Sequence, residues 1–218
     1  MPWWNRGKAL RRQHAGADSL QAACASYNRR SFQTQVAVIE AQATPDTRTD
    51  PLEAAMQEVD ATIRARLSSR VALIDQISHY IISAGGKRIR PRLVLLFAQA
   101  LGFEGRERYE LAAIVEFIHT ATLLHDDVVD ESSMRRGRQT ANAMFGNAAS
   151  VLVGDFLYSR AFQMMVSVNR MRVLEVLADA TNVIAEGEVL QLMNIHDADL
   201  SVPDYLRVIR FKTAKLFE

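Results

Sequence analysis

Apolar residues recur every three or four positions from Asp50 to the end of the chain, and that period predicts a protein built of helices. Leu52, Met56, Val59, Ile63 and Leu67 form one such stripe, with Asp50 placed to cap it and Pro51 at the first helical position. The stripe predicts a helix to about residue 68. A second is predicted over about 71–83, stopping at Gly85-Gly86. Pro91 opens a third, which runs to Leu101 before Gly102. A fourth begins near Arg106 and carries Leu111, Ile114, Val115, Ile118, Thr122 and Leu123 toward a cluster of aspartates. Further helices are predicted at 148–167, at 171–194 and from Pro203 onward. Few stretches alternate with period two, so strands are not expected, and short connections favour antiparallel neighbours. The expected fold class is all-α.

Composition narrows the function classes. At 218 residues, 49% hydrophobic, 23% charged and net charge +1, the chain has ordinary globular chemistry and offers no case for nucleic-acid binding. A single cysteine, Cys24, cannot form an internal disulfide, so a reducing compartment is expected. The best apolar run, Leu93 to Ala98, is far too short to span a bilayer. Residues 1–49 differ from the rest: rich in Arg, Ala, Gln and Ser, poor in acids and weakly periodic. A transit peptide, a disordered tail and an extension from a misplaced start codon share that composition; the segment reads as disordered or extraneous. Residues 50–218 carry the fold.

The fourth helix ends in His119-Thr-Ala-Thr-Leu-Leu-His125-Asp126-Asp127-Val-Val-Asp130, with Arg135-Arg136-Gly137 just beyond. Positions i and i+4 share a helix face, so Asp126 and Asp130 are neighbours, with Asp127 about a third of a turn away. Like charges at that spacing destabilise a bare helix, so a compensating cation is expected. Mg²⁺ suits the role, since it takes one or two carboxylates and completes its shell with water and phosphate oxygens. The forked donors of Arg135 and Arg136 suit phosphate. Metal and phosphate ligands side by side point to a Mg²⁺–diphosphate site. The plain alternative is a solvated acidic helix end before a basic loop; Leu123, Leu124, Val128 and Val129 around the carboxylates disfavour it.

Gly85-Gly86-Lys87-Arg88-Ile89-Arg90-Pro91 is the second informative segment. Two glycines let backbone amides approach an anion, and three cations surround it before a helix N-terminus. A glycine cap and a basic surface turn explain it equally well, and the spacing is not that of a Walker A loop. His119, seven residues before Asp126, is expected to point into the same cavity, with a satisfied core histidine the even alternative. His125 reads as structural. Lys212-Thr213 can reach a diphosphate from a facing helix, although an exposed lysine is the simpler reading. Gly154-Asp155 and Gly187-Glu188-Val-Leu-Gln191 put polar groups into apolar helices, where they must be hydrogen-bonded or face a cavity.

His119–Asn142, Gly85–Pro91, Gly154–Tyr158, Ala185–Leu192 and Phe211–Ala214 together resemble the trans-type polyprenyl diphosphate synthases. The resemblance covers roughly residue 52 to the end. Within the family it runs to the bacterial octaprenyl type, with the nonaprenyl (solanesyl) type a near neighbour. It implies an all-α bundle around a deep central cavity, a cytoplasmic homodimer, and Mg²⁺. It also implies successive addition of isopentenyl diphosphate to an allylic diphosphate, with farnesyl diphosphate the expected starter and a quinone side chain the expected use. By the same resemblance Asp126, Asp127 and Asp130 bind metal. Lys87, Arg90, His119 and Arg136 contact isopentenyl diphosphate, and Arg135, Lys212 and Thr213 contact the allylic diphosphate. Bulky residues four or five positions before the first aspartate block elongation in the family. Ala121 and Thr122 stand there, so a long product is expected, released at a membrane surface without any spanning segment. The family's second aspartate-rich motif has no counterpart before Glu218, so the expectation is the N-terminal part of such an enzyme. A non-catalytic partner subunit, or an inactive fragment, is the alternative; a class I terpene cyclase fits less well, because two diphosphate-binding segments are present.

Overall fold

In the computed structural model, which describes residues 50–83 and 85–218, the first helix starts where its cap predicts. The Asp50 carboxylate accepts the Leu52 amide at 3.0 Å, and α1 (Pro51–Leu67) follows with Pro51 in its first turn. Met56, Val59, Ile63 and Leu67, the predicted stripe, are its buried face. The expectation for residues 1–49 lies outside the described residues. Then come α2 (Ala72–Ser83), α3 (Ile89–Ala100) and α4 (Glu107–Val129).

The third helix opens two residues before Pro91. Arg88 takes the left-handed conformation at φ 48°, which turns the chain sharply, and Pro91 then falls in the first helical turn. There its missing N–H has no intrahelical acceptor to satisfy, so the ring costs nothing.

Helix α4 is the centre of the core. Ala112, Ala113, Ile114, Phe117, Ile118, Ala121 and Leu124 are all buried, so its apolar surface covers far more than one narrow stripe. Its main neighbour is α6 (Asn147–Val168), which presents Val153, Leu157, Ala161, Met164 and Met165. Burying a side chain such as Phe117 or Ile118 contributes roughly 1.5–3 kcal/mol each. α1 and α3 cover other sides of α4.

A two-stranded hairpin stands where no strand was expected. β1 (Met134–Arg135) pairs antiparallel with β2 (Arg138–Gln139), Met134 opposite Gln139 and Arg135 opposite Arg138. Arg136 (φ 52°) and Gly137 (φ 76°) form its two-residue turn, and positive φ at both positions matches the twist of paired strands. Two residues per strand are too few to show a period, so no pattern search finds it. A short α5 (Ala141–Phe145) follows; Thr140 caps it by accepting the Ala143 amide, while its hydroxyl donates to the Ser132 carbonyl at 2.7 Å.

α7 (Met171–Met193) and α8 (Val202–Lys212) close the described chain, ending in a 3₁₀ turn at Ala214–Leu216. They meet at Gly187, where an added Cβ would lie 2.5 Å from the Lys212 backbone nitrogen. Only a glycine lets the two backbones approach so closely. Gly154 of α6 likewise leaves room for the His125 ring. Among the described residues no helix is long and apolar enough to cross a membrane.

Gly187→Ala is therefore expected to lower the melting temperature although alanine is the better helix former by about 1 kcal/mol. The methyl meets backbone that cannot rotate away, an overpacking cost of roughly 1–3 kcal/mol. Gly154→Ala meets the half-exposed His125 ring instead and is expected to cost less. Thermal melts of the two variants by circular dichroism compare them; equal stability would remove the close-approach argument.

Candidate functional site

The last two turns of α4 place successive residues about 100° apart, and this rotation sends neighbouring aspartates to opposite sides. Asp126 and Asp130 line a cavity of about 650 Å³ between α4, α6 and α7, whose walls include Thr122, Tyr158, Phe162, Ala185 and Glu188. That is the size and the mostly apolar lining of a small-molecule site with a few polar groups at one end. His125, Tyr158 and Phe162 stack along one wall, with centroids 6.4 Å apart in both pairs.

Lys212 arrives at this acidic end from α8. Its Nζ donates to Glu188 Oε2 at 2.6 Å and lies 3.5 Å from Asp126 Oδ2. The approach at Gly187 sets that position. Burial pushes the Asp126 carboxyl above its usual range, opposed by Lys212 and reinforced by Asp130. Glu188 is raised too, again by burial first, which outweighs the hydrogen bond from Lys212. Burial pulls the Lys212 ammonium down, but its bond to Glu188 and the field of Asp126 and Asp130 hold it above its usual value. The cation therefore rests between two carboxylates, with the charge of Asp130 nearby.

Asp127 sits on the other side, 4% exposed. Arg135 of β1 chelates it, donating from Nη2 to Oδ1 at 2.7 Å and from Nε to Oδ2 at 3.2 Å. Asn142 ties the same corner by donating from Nδ2 to the carbonyls of Asp127 and Ser132, both at 3.1 Å. This side opens into a basic recess lined by His119, Arg135, Arg136, Arg138 and the Gly85-Gly86 turn. Arg136 Nη1 donates to the Gly85 carbonyl at 2.6 Å, and a Cβ on Gly86 would strike that guanidinium. The His119 pKa falls to about 4, first through burial and then through Arg90, Arg136 and Arg135, so the ring is neutral near pH 7. Burial also lowers the Arg90 pKa, against the pull of Glu116; its guanidinium lies 4.5 Å above the Phe217 ring. Lys87 is exposed, one residue past Gly86. Thr213 ends α8 and is exposed.

Three expectations need correction. Asp127 does not join Asp126 and Asp130; among the described residues no three acidic, histidine or cysteine side chains converge as a metal shell. The expected acidic triad is a pair, because one residue of rotation commits Asp127 to Arg135. Arg135 correspondingly spends two donors on Asp127. His119 faces the basic recess and not the cavity of the aspartates. Seven residues return it to within about 20° of Asp126, and its side chain then turns toward the space left by Gly85 and Gly86. Ala121 is fully buried in the core, while Thr122 lines the cavity and donates its hydroxyl to the His119 carbonyl at 2.8 Å. His125 lines the cavity beside Asp126, with Nε2 donating to the Val151 carbonyl at 3.2 Å. Sequence reasoning gave Glu188 no partner and Gly187 no reason; a glycine-glutamate pair inside an apolar helix was the available signal.

One helix end thus carries a carboxylate pair above an apolar cavity on one side and a cluster of arginines beside a glycine turn on the other. Comparison with known proteins bears on what such an arrangement is for. The octaprenyl diphosphate synthase of Escherichia coli (strain K12) is 63% identical over 163 residues, covering 75% of this chain and 50% of that protein. The crystal structure of a decaprenyl diphosphate synthase from Rhodobacter capsulatus superimposes with a TM-score of 0.74 at 54% identity, over 76% of this chain and 51% of that one. A polyprenyl synthase from Caulobacter crescentus CB15, complexed with calcium and isoprenyl diphosphate, gives the same TM-score of 0.74 and 54% identity, over 76% and 50% of the two chains. The chain spans about half the length of the curated relatives it matches. The polyprenyl synthetase family model matches residues 71–218, well over half the sequence, and on that match the chain belongs to the polyprenyl synthetase family.

Proposed function

We propose that this chain acts as a trans-polyprenyl diphosphate synthase of the octaprenyl type, adding isopentenyl diphosphate successively to an allylic diphosphate at the end of α4. The observation that carries this reading is the division of labour across the end of α4: carboxylates over an apolar cavity on one side, arginines over a glycine turn on the other. Two diphosphates held on either side of one helix end bring an allylic carbon and a double bond toward each other, which is a positioning effect worth several orders of magnitude.

In this reading Arg136, His119, Arg90 and Lys87 hold isopentenyl diphosphate in the basic recess, the neutral His119 ring offering a hydrogen bond without adding charge. Lys212, Thr213 and the donors Arg135 keeps beyond Asp127 hold the allylic diphosphate, farnesyl diphosphate as starter. Asp126 and Asp130 are hard oxygen donors on one helix face, close enough for Asp130 to raise the Asp126 pKa, and such a pair fits Mg²⁺. A Mg²⁺ ion held by Asp126 and Asp130 would supply Lewis acidity toward the departing diphosphate. Lys212 adds a mobile donor to the same leaving group. The allylic C–O bond breaks, the isopentenyl double bond attacks the allylic carbon, and the proton lost passes to the released diphosphate. Tyr158, Phe162 and Val189 keep the cavity apolar, which shields the cation from water and accepts the growing chain. A homodimer, a cytoplasmic setting, transient contact with a membrane surface at product release and a quinone side chain as destination belong to the same proposal.

A second reading, a subunit or piece that works only with a complement, draws on exposed apolar residues of α7: Val189 is 56%, Leu192 58% and Met193 75% exposed. Incubation with labelled isopentenyl diphosphate, farnesyl diphosphate and Mg²⁺, followed by product sizing, separates the two. Octaprenyl product from the chain alone supports the first, and product only after adding an intact homologue supports the second. No product in either case overturns both.

Asp126→Ala is expected to lower Mg²⁺-dependent binding of a non-hydrolysable farnesyl diphosphate analogue by a factor on the order of 10² in calorimetry, and unchanged affinity would remove the metal assignment. Thr122→Phe is expected to narrow the cavity, weakening geranylgeranyl more than farnesyl diphosphate. Ala121→Phe should instead destabilise the fold by roughly 1–3 kcal/mol. For His119 the folded pKa of about 4 lies below the ordinary 6.5, so the fold favours the neutral ring. Its contribution to stability is complete above pH 6.5 and is lost as pH falls toward 4. Denaturant melts of the unliganded chain between those limits should show that loss, and His119→Asn should lack it.

A further inference from the structure

We propose that Arg88 and Glu116 form a positioning clasp that sets the Gly85–Lys87 turn against the basic recess, so that Arg88 is not one of the cations that meet an anion. Arg88 stands in the left-handed region at φ 48°, ψ 39°, a conformation few side-chain-bearing residues adopt. It caps α3 without any side-chain hydrogen bond to the helix. Its guanidinium, at the edge of the same recess, is taken up by carboxylates: Nη1 donates to Glu116 Oε1 at 3.0 Å and Nε lies 3.6 Å from Asp60 Oδ1. The Arg88 and Glu116 side chains are only 16% and 15% exposed, so the pair is shielded from water and from salt. Two carboxylates, from α1 and α4, thus neutralise a residue that the sequence counts among three anion-binding cations.

The opposite end of the same turn is held by the hairpin, through the bond from Arg136 to the Gly85 carbonyl. Glu116 lies one helical turn before His119 and Thr120, so the clasp ties the glycine turn to the register of α4. An ion pair on one flank and a carbonyl anchor on the other fix where the Gly86 and Lys87 backbone stands relative to His119. Preorganisation of that kind governs how tightly a diphosphate is held.

The proposal rests on the reading of the recess as a diphosphate site, and its test separates the two. The full chain, Glu116→Gln and Arg88→Gly are titrated with inorganic pyrophosphate by calorimetry, and hydrogen exchange is followed over residues 85–92. Arg88→Gly keeps the backbone conformation at no strain but removes the clasp; Glu116→Gln leaves the backbone sequence untouched. Both are expected to bind pyrophosphate about tenfold more weakly and to exchange faster over that segment; Glu116→Gln keeps a hydrogen-bonding side chain beside Arg88 and is expected to melt closer to the parent than Arg88→Gly, which leaves Glu116 without its cation. Loss of a nearby carboxylate would by itself strengthen anion binding, so weaker binding by Glu116→Gln has the sign that only positioning predicts. Unchanged or tighter binding by Glu116→Gln overturns the clasp, and so does a parent-like Arg88→Gly. Should the parent chain fail to bind pyrophosphate, the diphosphate reading falls. Exchange then decides the clasp alone: faster exchange in both variants upholds it, and unchanged exchange overturns it.

Discussion

The pitch of one helix organises the molecule around it. α4 must bury a wide apolar surface against α6 and its other neighbours, and this fixes its rotation about its own axis. Once Ile114, Phe117, Ile118 and Ala121 face inward, every polar residue beyond them has its direction set. Asp126 and Asp130 fall over the apolar cavity, and Asp127, one residue on, falls toward the hairpin. The chemistry on either side is therefore a consequence of core packing: a shift of one residue in the register would rotate every side chain by about 100° and take the carboxylate pair off the cavity.

The charges follow from that placement. Asp127 is buried, and an uncompensated buried carboxylate is costly, so the two-donor bond from Arg135 is what makes the corner stable. Asp126 and Glu188 face each other across a partly dry cavity, and Lys212 rests between them because α8 is allowed within backbone contact at Gly187. On the basic side, burial and three arginines remove the proton from His119. Each side thus holds a net charge that water does not fully screen, of opposite sign to the partner proposed for it: a metal ion on one, a diphosphate on the other.

Most of the helices were legible, because their apolar spacing and caps act locally: Asp50-Pro51 starts α1 and Gly85-Gly86 follows α2 as read. The hairpin at Met134–Gln139 was not, since two-residue strands carry no periodic signal and Arg136 gives no hint of positive φ. At the site, the spacing of Asp126 and Asp130 identified their shared face. The role of Asp127, the direction of His119 and the burial of Ala121 were misjudged. Each turns on which neighbour stands at a given angle around α4: the hairpin's Arg135 for Asp127, and the Gly85-Gly86 turn, more than thirty residues away, for His119.

By itself the sequence determined most of the helices and the family, because these depend on residue types at fixed short spacings. Only the tertiary structure decided which of those residues share a space. Arg88 pairs with carboxylates from α1 and α4, Lys212 rests on Glu188 of α7, and Arg135 is committed to Asp127. Such pairings bring together residues 8 to 28 positions apart. No local rule encodes them; they are set when the helices dock and the core fixes each one's rotation.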